Sequence, residues 1–245
     1  MIARVGLIIP SSNRMVEQEM VPAFPTGVAA HVTRLRMTGA NRLPFEQLLP
    51  RIEEAARALV DARCDVVAFH CTANSTEGGK DGEAQILAAL ARAGVARATT
   101  TITAIQRALD AFGAKRIVLI TPYSAATTEH EAAFLRLAGY DVLSAKGFAL
   151  ADSDAYCATP PAFWRERTIE AARPDAEAYL VSCANIAVFS VIDALEAWLA
   201  RPLITSNQAV IWDALRLVGW RDLRGGPGRL FAAQSSAPAR MPQRA

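Results

Sequence analysis

The segment Arg4-Val5-Gly6-Leu7-Ile8-Ile9-Pro10 returns 112 residues later as Arg116-Ile117-Val118-Leu119-Ile120-Thr121-Pro122. The same offset sets Val67-Ala68-Phe69-His70-Cys71-Thr72-Ala73-Asn74 against Tyr179-Leu180-Val181-Ser182-Cys183-Ala184-Asn185. A third pair follows at an offset of 106: Thr99-Thr100-Thr101 leads to Ala108-Leu109 and Gly113, and Thr205-Ser206-Asn207 leads to Ala214-Leu215 and Gly219. Three matches in one order restrict the chain to two similar lobes, residues 1–113 and 114–219, related by a pseudo-two-fold axis. Residues 220–231 are expected to cross back onto the first lobe, and the tail, 232–245, is poor in apolar residues and is expected to be flexible.

Within each lobe, short apolar runs alternate with amphipathic ones. Arg4–Pro10, Asp65–His70, Arg97–Thr101, Arg116–Thr121, Tyr179–Ser182 and Leu203–Thr205 read as buried strands. Gln47–Arg63, Glu83–Ala93, Ala104–Phe112, Glu129–Ala138, Ala162–Ala172, Val191–Ala200 and Ala209–Val218 carry helical periodicity. The alternation predicts parallel βαβ units. The fold class is α/β: two pseudo-symmetric Rossmann-like lobes, parallel sheets flanked by helices, and an active site in the cleft between them.

Composition removes several classes of function. With 52% apolar and 20% charged residues, the chain has the apolar surface to offset the conformational entropy of folding, which excludes intrinsic disorder. No apolar run reaches the ~18 residues of a membrane span, and Val5–Pro10 is too short for a signal peptide. A cytoplasmic protein without a membrane partner is expected. The net charge is only +2 and the arginines are scattered singly, so nucleic acid is not an expected partner. The cysteines (Cys64, Cys71, Cys157, Cys183) form no C-x-x-C pair, and His31, His70 and His130 are widely spaced, so neither a disulfide framework nor a metal site is expected.

Ligands of parallel α/β sheets bind beyond the carboxyl ends of the strands. Cys71 and Cys183 both fall at that end, before a polar turn and a helix. The pseudo-two-fold axis then sets two thiols on opposite walls of one cleft. A thiolate can act as nucleophile or base while a thiol opposite donates a proton, and adjacent helix N-termini attract carboxylates. Pro10-Ser11-Ser12-Asn13 and Thr121-Pro122-Tyr123-Ser124 end equivalent strands and should line the same cleft. Cys64 and Cys157 read as small buried hydrophobes. If Cys71 points in, His70 points out, toward a core or helix-facing partner. Asn13 is open between a helix cap and a ligand, Tyr123 between packing and a hydroxyl role, and Asn185 between a turn residue and a ligand.

Ile9-Pro10-Ser11-Ser12-Asn13 with Glu17 and Glu19, His70-Cys71-Thr72-Ala73, Thr121-Pro122-Tyr123 and Ser182-Cys183-Ala184-Asn185 together resemble the aspartate/glutamate racemase superfamily. They are most similar to its branch of maleate cis-trans isomerases and arylmalonate decarboxylases. Trp212-Asp213-Ala214-Leu215-Arg216-Leu217 and Gly228-Arg229-Leu230-Phe231 extend the likeness to about Phe231. The decarboxylases carry glycine at the first cysteine position, where this chain has Cys71. The amino-acid racemases usually carry histidine two residues after the second cysteine, where this chain has Asn185. Both departures favour the isomerases. Ser153 stands where the isomerases carry a loop asparagine, which implies an altered carboxylate contact and a substituted or different cis-diacid.

The resemblance implies cis-trans isomerisation of maleate or a related small dicarboxylate without a cofactor, by adduct formation at Cys71 with Cys183 as proton donor. It implies a substrate shell of Ser12, Asn13, Thr72, Ala73, Tyr123, Ser153, Ala184 and Asn185, no metal, and compatibility with a homo-oligomer. Two other readings use the same residues. One is proton transfer at a carbon α to a carboxylate, as in a racemase or decarboxylase; the other is a non-catalytic dicarboxylate-binding protein.

Overall fold

The computed structural model describes residues 2–37, 44–220 and 226–233. Strands β1 (Ala3–Pro10), β2 (Val28–Leu35), β3 (Val66–Phe69) and β4 (Ala98–Thr100) form one parallel sheet in the order β2-β1-β3-β4. Strands β5 (Arg116–Thr121), β6 (Asp141–Gly147), β7 (Ala178–Val181) and β8 (Leu203–Thr205) repeat that order as β6-β5-β7-β8. Helices α1 (Phe45–Asp61), α2 (Thr72–Ser75), α3 (Gly79–Arg92) and α4 (Thr101–Ala111) accompany the first sheet. Helices α5 (Ala125–Leu137), α6 (Ser153–Ala158), α7 (Pro161–Glu170), α8 (Phe189–Leu199) and α9 (Ser206–Leu217) accompany the second.

The runs expected as strands all fall on strands of the sheets. Strands β2 and β6 go unread because VAAHVTRL and DVLSAKG are mostly half-buried and mix polar with apolar residues, whereas β4 and β8, at the opposite sheet edges, are mostly buried. A continuous apolar run marks only strands covered on both faces. Helices α4, α5 and α9 start three or four residues before the runs expected from the sequence. Their caps explain it: Thr100, Ser124 and Thr205 accept from the N–H groups of Thr103, Thr127 and Gln208, and Thr205 with Gln208 completes a capping box.

The main core lies between the sheets, where α4 and α9 pack on each other. Ile102, Ile105 and Leu109 join Val210, Ile211 and Leu215 there, with Leu7, Ile9, Leu119 and Leu180 from the strands. Each such side chain, fully withdrawn from water, stabilises the fold by roughly 1.5–3 kcal/mol. Arg107 reaches Asp213 with both carboxylate oxygens within 3.1 Å, and Thr99 Oγ1 donates to the same carboxylate at 2.7 Å, tying the halves together. Satellite cores fill the outer faces, beneath α1 and α3 in one half and beneath α7 and α8 in the other.

The segment expected to cross onto the first lobe divides in its described part: Trp220 lies against Gly27 of that lobe, while the later residues pack on the second. Residues 226–233 dock on β8, α8 and α9: Gly228 N–H donates to Asp193, Arg229 N–H to Glu196, and Gln208 Nε2 to Pro227 O. Gly228 has φ +77, and a Cβ there would sit 2.6 Å from Ile192, so only glycine fits. Residues 221–225 of that segment, and the expected flexible tail beyond 233, lie outside the described residues. No described helix is long and apolar enough to cross a membrane.

Candidate active site

Strand β1 ends at Pro10 and β5 runs straight into Pro122, each opening into a polar turn, while β3 and β7 lead through His70 and Ser182 to the two cysteines. All ten residues chosen from the sequence, Ser12, Asn13, Cys71, Thr72, Ala73, Tyr123, Ser153, Cys183, Ala184 and Asn185, line one cavity of about 370 Å³. Asn74, Thr127 and Tyr156 also contribute to its wall.

The two cysteines occupy equivalent positions in different surroundings. Cys71 is the N-cap of α2, with its Sγ directed at Asn74 Oδ1, 3.5 Å away. The first N–H groups of a helix have no partner within it, so this turn offers donors to an anion beside the thiol. Cys183 Sγ accepts the N–H of Asn185 at 3.3 Å and the phenol of Tyr123. Burial pushes the Cys183 thiol up to about 12, with Cys71 and Glu131 adding to the rise and the two donated hydrogen bonds offsetting part of it. Burial, with Cys183 and Glu131 close by, also holds the Tyr123 phenol well above its ordinary value.

The polar lining divides into groups already committed and groups still available. Asn13 Oδ1 accepts from the N–H groups of Met15 and Val16, and its Nδ2 donates to Ala184 O at 2.8 Å. It is therefore both a cap and a brace between lobes, with one amide hydrogen left over. Asn185 Oδ1 accepts from Arg14 N and from Cys157 Sγ at 3.2 Å, and Nδ2 reaches Ser12 O at 3.5 Å. Its side chain holds the wall, and its backbone N–H serves Cys183. Ser153 Oγ donates to Ser12 Oγ at 3.0 Å, linking α6 to the turn after β1, and Arg14 pairs with Asp154 beside it. Cys157 departs from the expectation of a buried hydrophobe: it is half-buried and bonded to a cavity residue. Cys64 is also half-buried, with burial and Asp65 raising its thiol to about 11.

Residues 5–231 match the arylmalonate decarboxylase (Amdase) family. The chain belongs to this family. It is 26% identical to the arylmalonate decarboxylase of Bordetella bronchiseptica over 230 residues, covering 93% of this chain and 95% of that one. It is 25% identical to a maleate isomerase of Nocardia farcinica over 252 residues, covering 97% and 99%. The fold matches a cysteine-to-alanine variant of the maleate isomerase Iso from Pseudomonas putida S16 with maleate, at TM-score 0.85, 24% identity and coverage of 96% and 99%. It also matches a cysteine-to-serine variant of the Nocardia farcinica maleate cis-trans isomerase with a covalently bound succinylcysteine intermediate, at TM-score 0.83, 24% identity and coverage of 94% and 98%.

In this member of the Amdase family, the residues just before the cysteines turn away from the cavity into a polar seam between the halves. His70 is fully buried, as expected of a residue satisfied elsewhere, with Nδ1 3.0 Å from Thr101 Oγ1 and Nε2 2.9 Å from Asn207 Oδ1. Asn207 Nδ2 donates to Glu19, so its Oδ1 must accept from His70 Nε2–H, which leaves Nδ1 as an acceptor that shares the Thr101 hydroxyl hydrogen with Phe69 O. Burial pushes His70 down to about 4. Glu19 in turn accepts the N–H groups of Val188 and Phe189 at the start of α8.

Sequence reading missed Glu131, Ser206, Asn207 and Asn74 as parts of the site and its support. Asn74 is buried, and its Nδ2 has no partner among the described residues. A signal for Glu131 existed: it stands at the 112-residue offset from Glu19. A lone acid on an amphipathic helix ordinarily faces water, which hides it. Among the described residues, no group of three or more His, Cys, Asp or Glu side chains is arranged to hold a metal.

Proposed function

We propose that this chain is an isomerase that converts maleate, or a closely related cis-dicarboxylate, to its trans isomer through a covalent adduct at Cys71, without a cofactor. The observation that carries the reading is the pair of thiols in one cavity with unequal surroundings. Cys183 is held as a thiol by burial, so it is the proton donor, and Cys71, at the N-terminus of α2, is the nucleophile. A cysteine at the first position also separates this chain from the glycine that the decarboxylases carry there. The succinylcysteine trapped in the Nocardia farcinica isomerase is the adduct this chemistry predicts.

The Cys71 thiolate adds to one alkene carbon, forming the C–S bond as the π pair moves to the neighbouring carbon and its carboxylate. Cys183 transfers its proton to that carbon, giving a succinyl thioether whose central bond is single and rotates. Cys183 as thiolate then retakes the proton, the C–H pair re-forms the double bond, and the Cys71 thiolate leaves the trans acid. Tyr123, already bonded to Cys183, stabilises the transient thiolate. Ser12, Ser153, the free amide hydrogen of Asn13, Thr72 and the backbone N–H groups of Ala73 and Ala184 are the donors for carboxylate and enediolate charge. Asn185 acts by holding their wall. One such donor typically contributes ~3 kcal/mol to the transition state.

A proton NMR time course with maleate in D2O tests the reading. Conversion to fumarate is expected, with Cys71→Ala and Cys183→Ala each reducing the rate by about a thousandfold or more. Full turnover in Cys71→Ala overturns the adduct. The match to the decarboxylase family supplies the second reading: loss of CO2 from an arylmalonate with no action on maleate would establish decarboxylation instead.

A further inference from the structure

Glu131 projects from α5 into the wall behind Cys183, with 1% of its surface exposed. Its Oε1 lies 2.5 Å from Ser182 Oγ, and its Oε2 has no hydrogen-bond partner among the described residues. An ionised carboxylate with one bare oxygen away from water is costly, so the neutral acid is the form this environment favours. Burial accordingly raises the group to about 7. The proton belongs on Oε1, where it can donate to Ser182; on Oε2 it would be a buried donor facing nothing.

From Ser182 a line of hydroxyls crosses to the first half of the chain. Ser182 Oγ lies 3.4 Å from Ser206 Oγ, and Ser206 Oγ lies 2.9 Å from Thr72 Oγ1, in the cavity wall beside Cys71. Each hydroxyl has one hydrogen, so the direction of the whole line is set at its end. With Glu131 protonated, Glu131 donates to Ser182, Ser182 to Ser206 and Ser206 to Thr72, which leaves the Thr72 hydrogen for the cavity. With Glu131 ionised the order reverses, and Thr72 shows the cavity only lone pairs.

We propose that Glu131 is a positioning residue for anion binding: its proton orients the Ser182, Ser206 and Thr72 hydroxyls so that Thr72 donates to a substrate carboxylate, and a bound dicarboxylate holds that proton in place. This deepens the dicarboxylate reading given above and rests on it for the identity of the ligand. The titratable groups that face Glu131 are Tyr123 and Cys183, both kept neutral by burial. His130, its neighbour on α5, turns away to Thr76 O at 3.0 Å.

The test is isothermal titration calorimetry of the full chain with maleate, between about pH 7 and about pH 9, in buffers of different ionisation enthalpy. Because only the protonated form binds well, the unmodified protein should take up close to one proton at the upper end, with Kd rising about tenfold per pH unit there. Glu131→Gln presents an amide donor to Ser182 at every pH, so it should bind without proton uptake and with a flat Kd. Uptake that came from Cys71 instead would survive in this variant. Sulfate is titrated in parallel as a dianion that demands nothing of the diacid reading. Proton-linked sulfate binding without maleate binding supports the role of Glu131 and overturns the substrate. Anion binding without proton uptake in the unmodified chain, full pH dependence retained in Glu131→Gln, or binding of neither anion overturns the role of Glu131.

Discussion

Tyr123 donates its phenol to Cys183 while its ring meets Tyr156 edge-on, with centroids 6.1 Å apart, so one side chain holds a thiol and helps build the cavity wall. Tyr123→Phe keeps the ring and removes the donor. Its kcat on maleate should fall about a hundredfold, in line with the ~3 kcal/mol typical of a lost transition-state donor. The Cys183 thiol should also be pushed still higher, which peptide-resolved alkylation at alkaline pH would detect as slower labelling; unchanged labelling would remove Tyr123 from its role as thiol partner. At this scale the sequence was informative where symmetry spoke. Cys71 and Cys183 could be paired because each lies at the same place in the repeat, and that place is a strand end. Asn13 and Asn185 could be assigned to the cavity but not to a task, because an amide's function depends on which partners the other half supplies. Those partners, Ala184 O for Asn13 and Arg14 N for Asn185, lie about 170 residues away along the chain.

Helix α8 is capped from the other half of the molecule. Val188, its N-cap, offers no side-chain acceptor, and Glu19 in the π-helical turn Val16–Met20 takes the N–H groups of Val188 and Phe189 instead. Glu19→Ala strips these donors and Asn207 Nδ2 of their acceptor at once. The expected cost is about 2 kcal/mol, read as a Tm lower by roughly 5 °C; a Tm within one degree of the parent would show that water replaces the carboxylate without loss. Caps and apolar periodicity report helix starts differently. Helices α4 and α9 carry local caps in Thr100 and Thr205, yet periodicity alone reads their starts late, because their first turns are largely polar. The start of α8 is held by Glu19 from far away in sequence, and only the apolar run that follows it marks the helix. Strands β2 and β6 escaped because each is mostly half-buried and mixes polar with apolar residues, whereas β4 and β8, also at sheet edges, are mostly buried.

Across the whole molecule, His70 and Glu131 pull stability in opposite directions with pH. His70 is depressed to about 4, so the unfolded chain takes up its proton first, and stability is lost as pH falls from about 6.5 to about 4. Glu131 is raised to about 7, so the unfolded chain ionises first, and stability is lost as pH rises from about 4.5 to about 7. Each contributes on the order of 3 kcal/mol at most. Between about pH 4.5 and about pH 6.5 these two slopes cancel. Glu131→Gln removes one of them, so its urea midpoint should decline more steeply than the parent's as pH falls through that window, burial of Glu19 and Glu196 acting equally on both; parallel curves would mean that Glu131 is not buried as an acid. These two residues also bear on the repeat itself. His70 and the position of Ser182 are equivalents, as are Glu19 and Glu131, yet their partners differ. A homodimer of half-length chains would have to place identical groups on both walls, and its two thiols would be interchangeable. Joining the halves in one polypeptide lifts that degeneracy, so that a nucleophile and an acid can face each other as permanently different species.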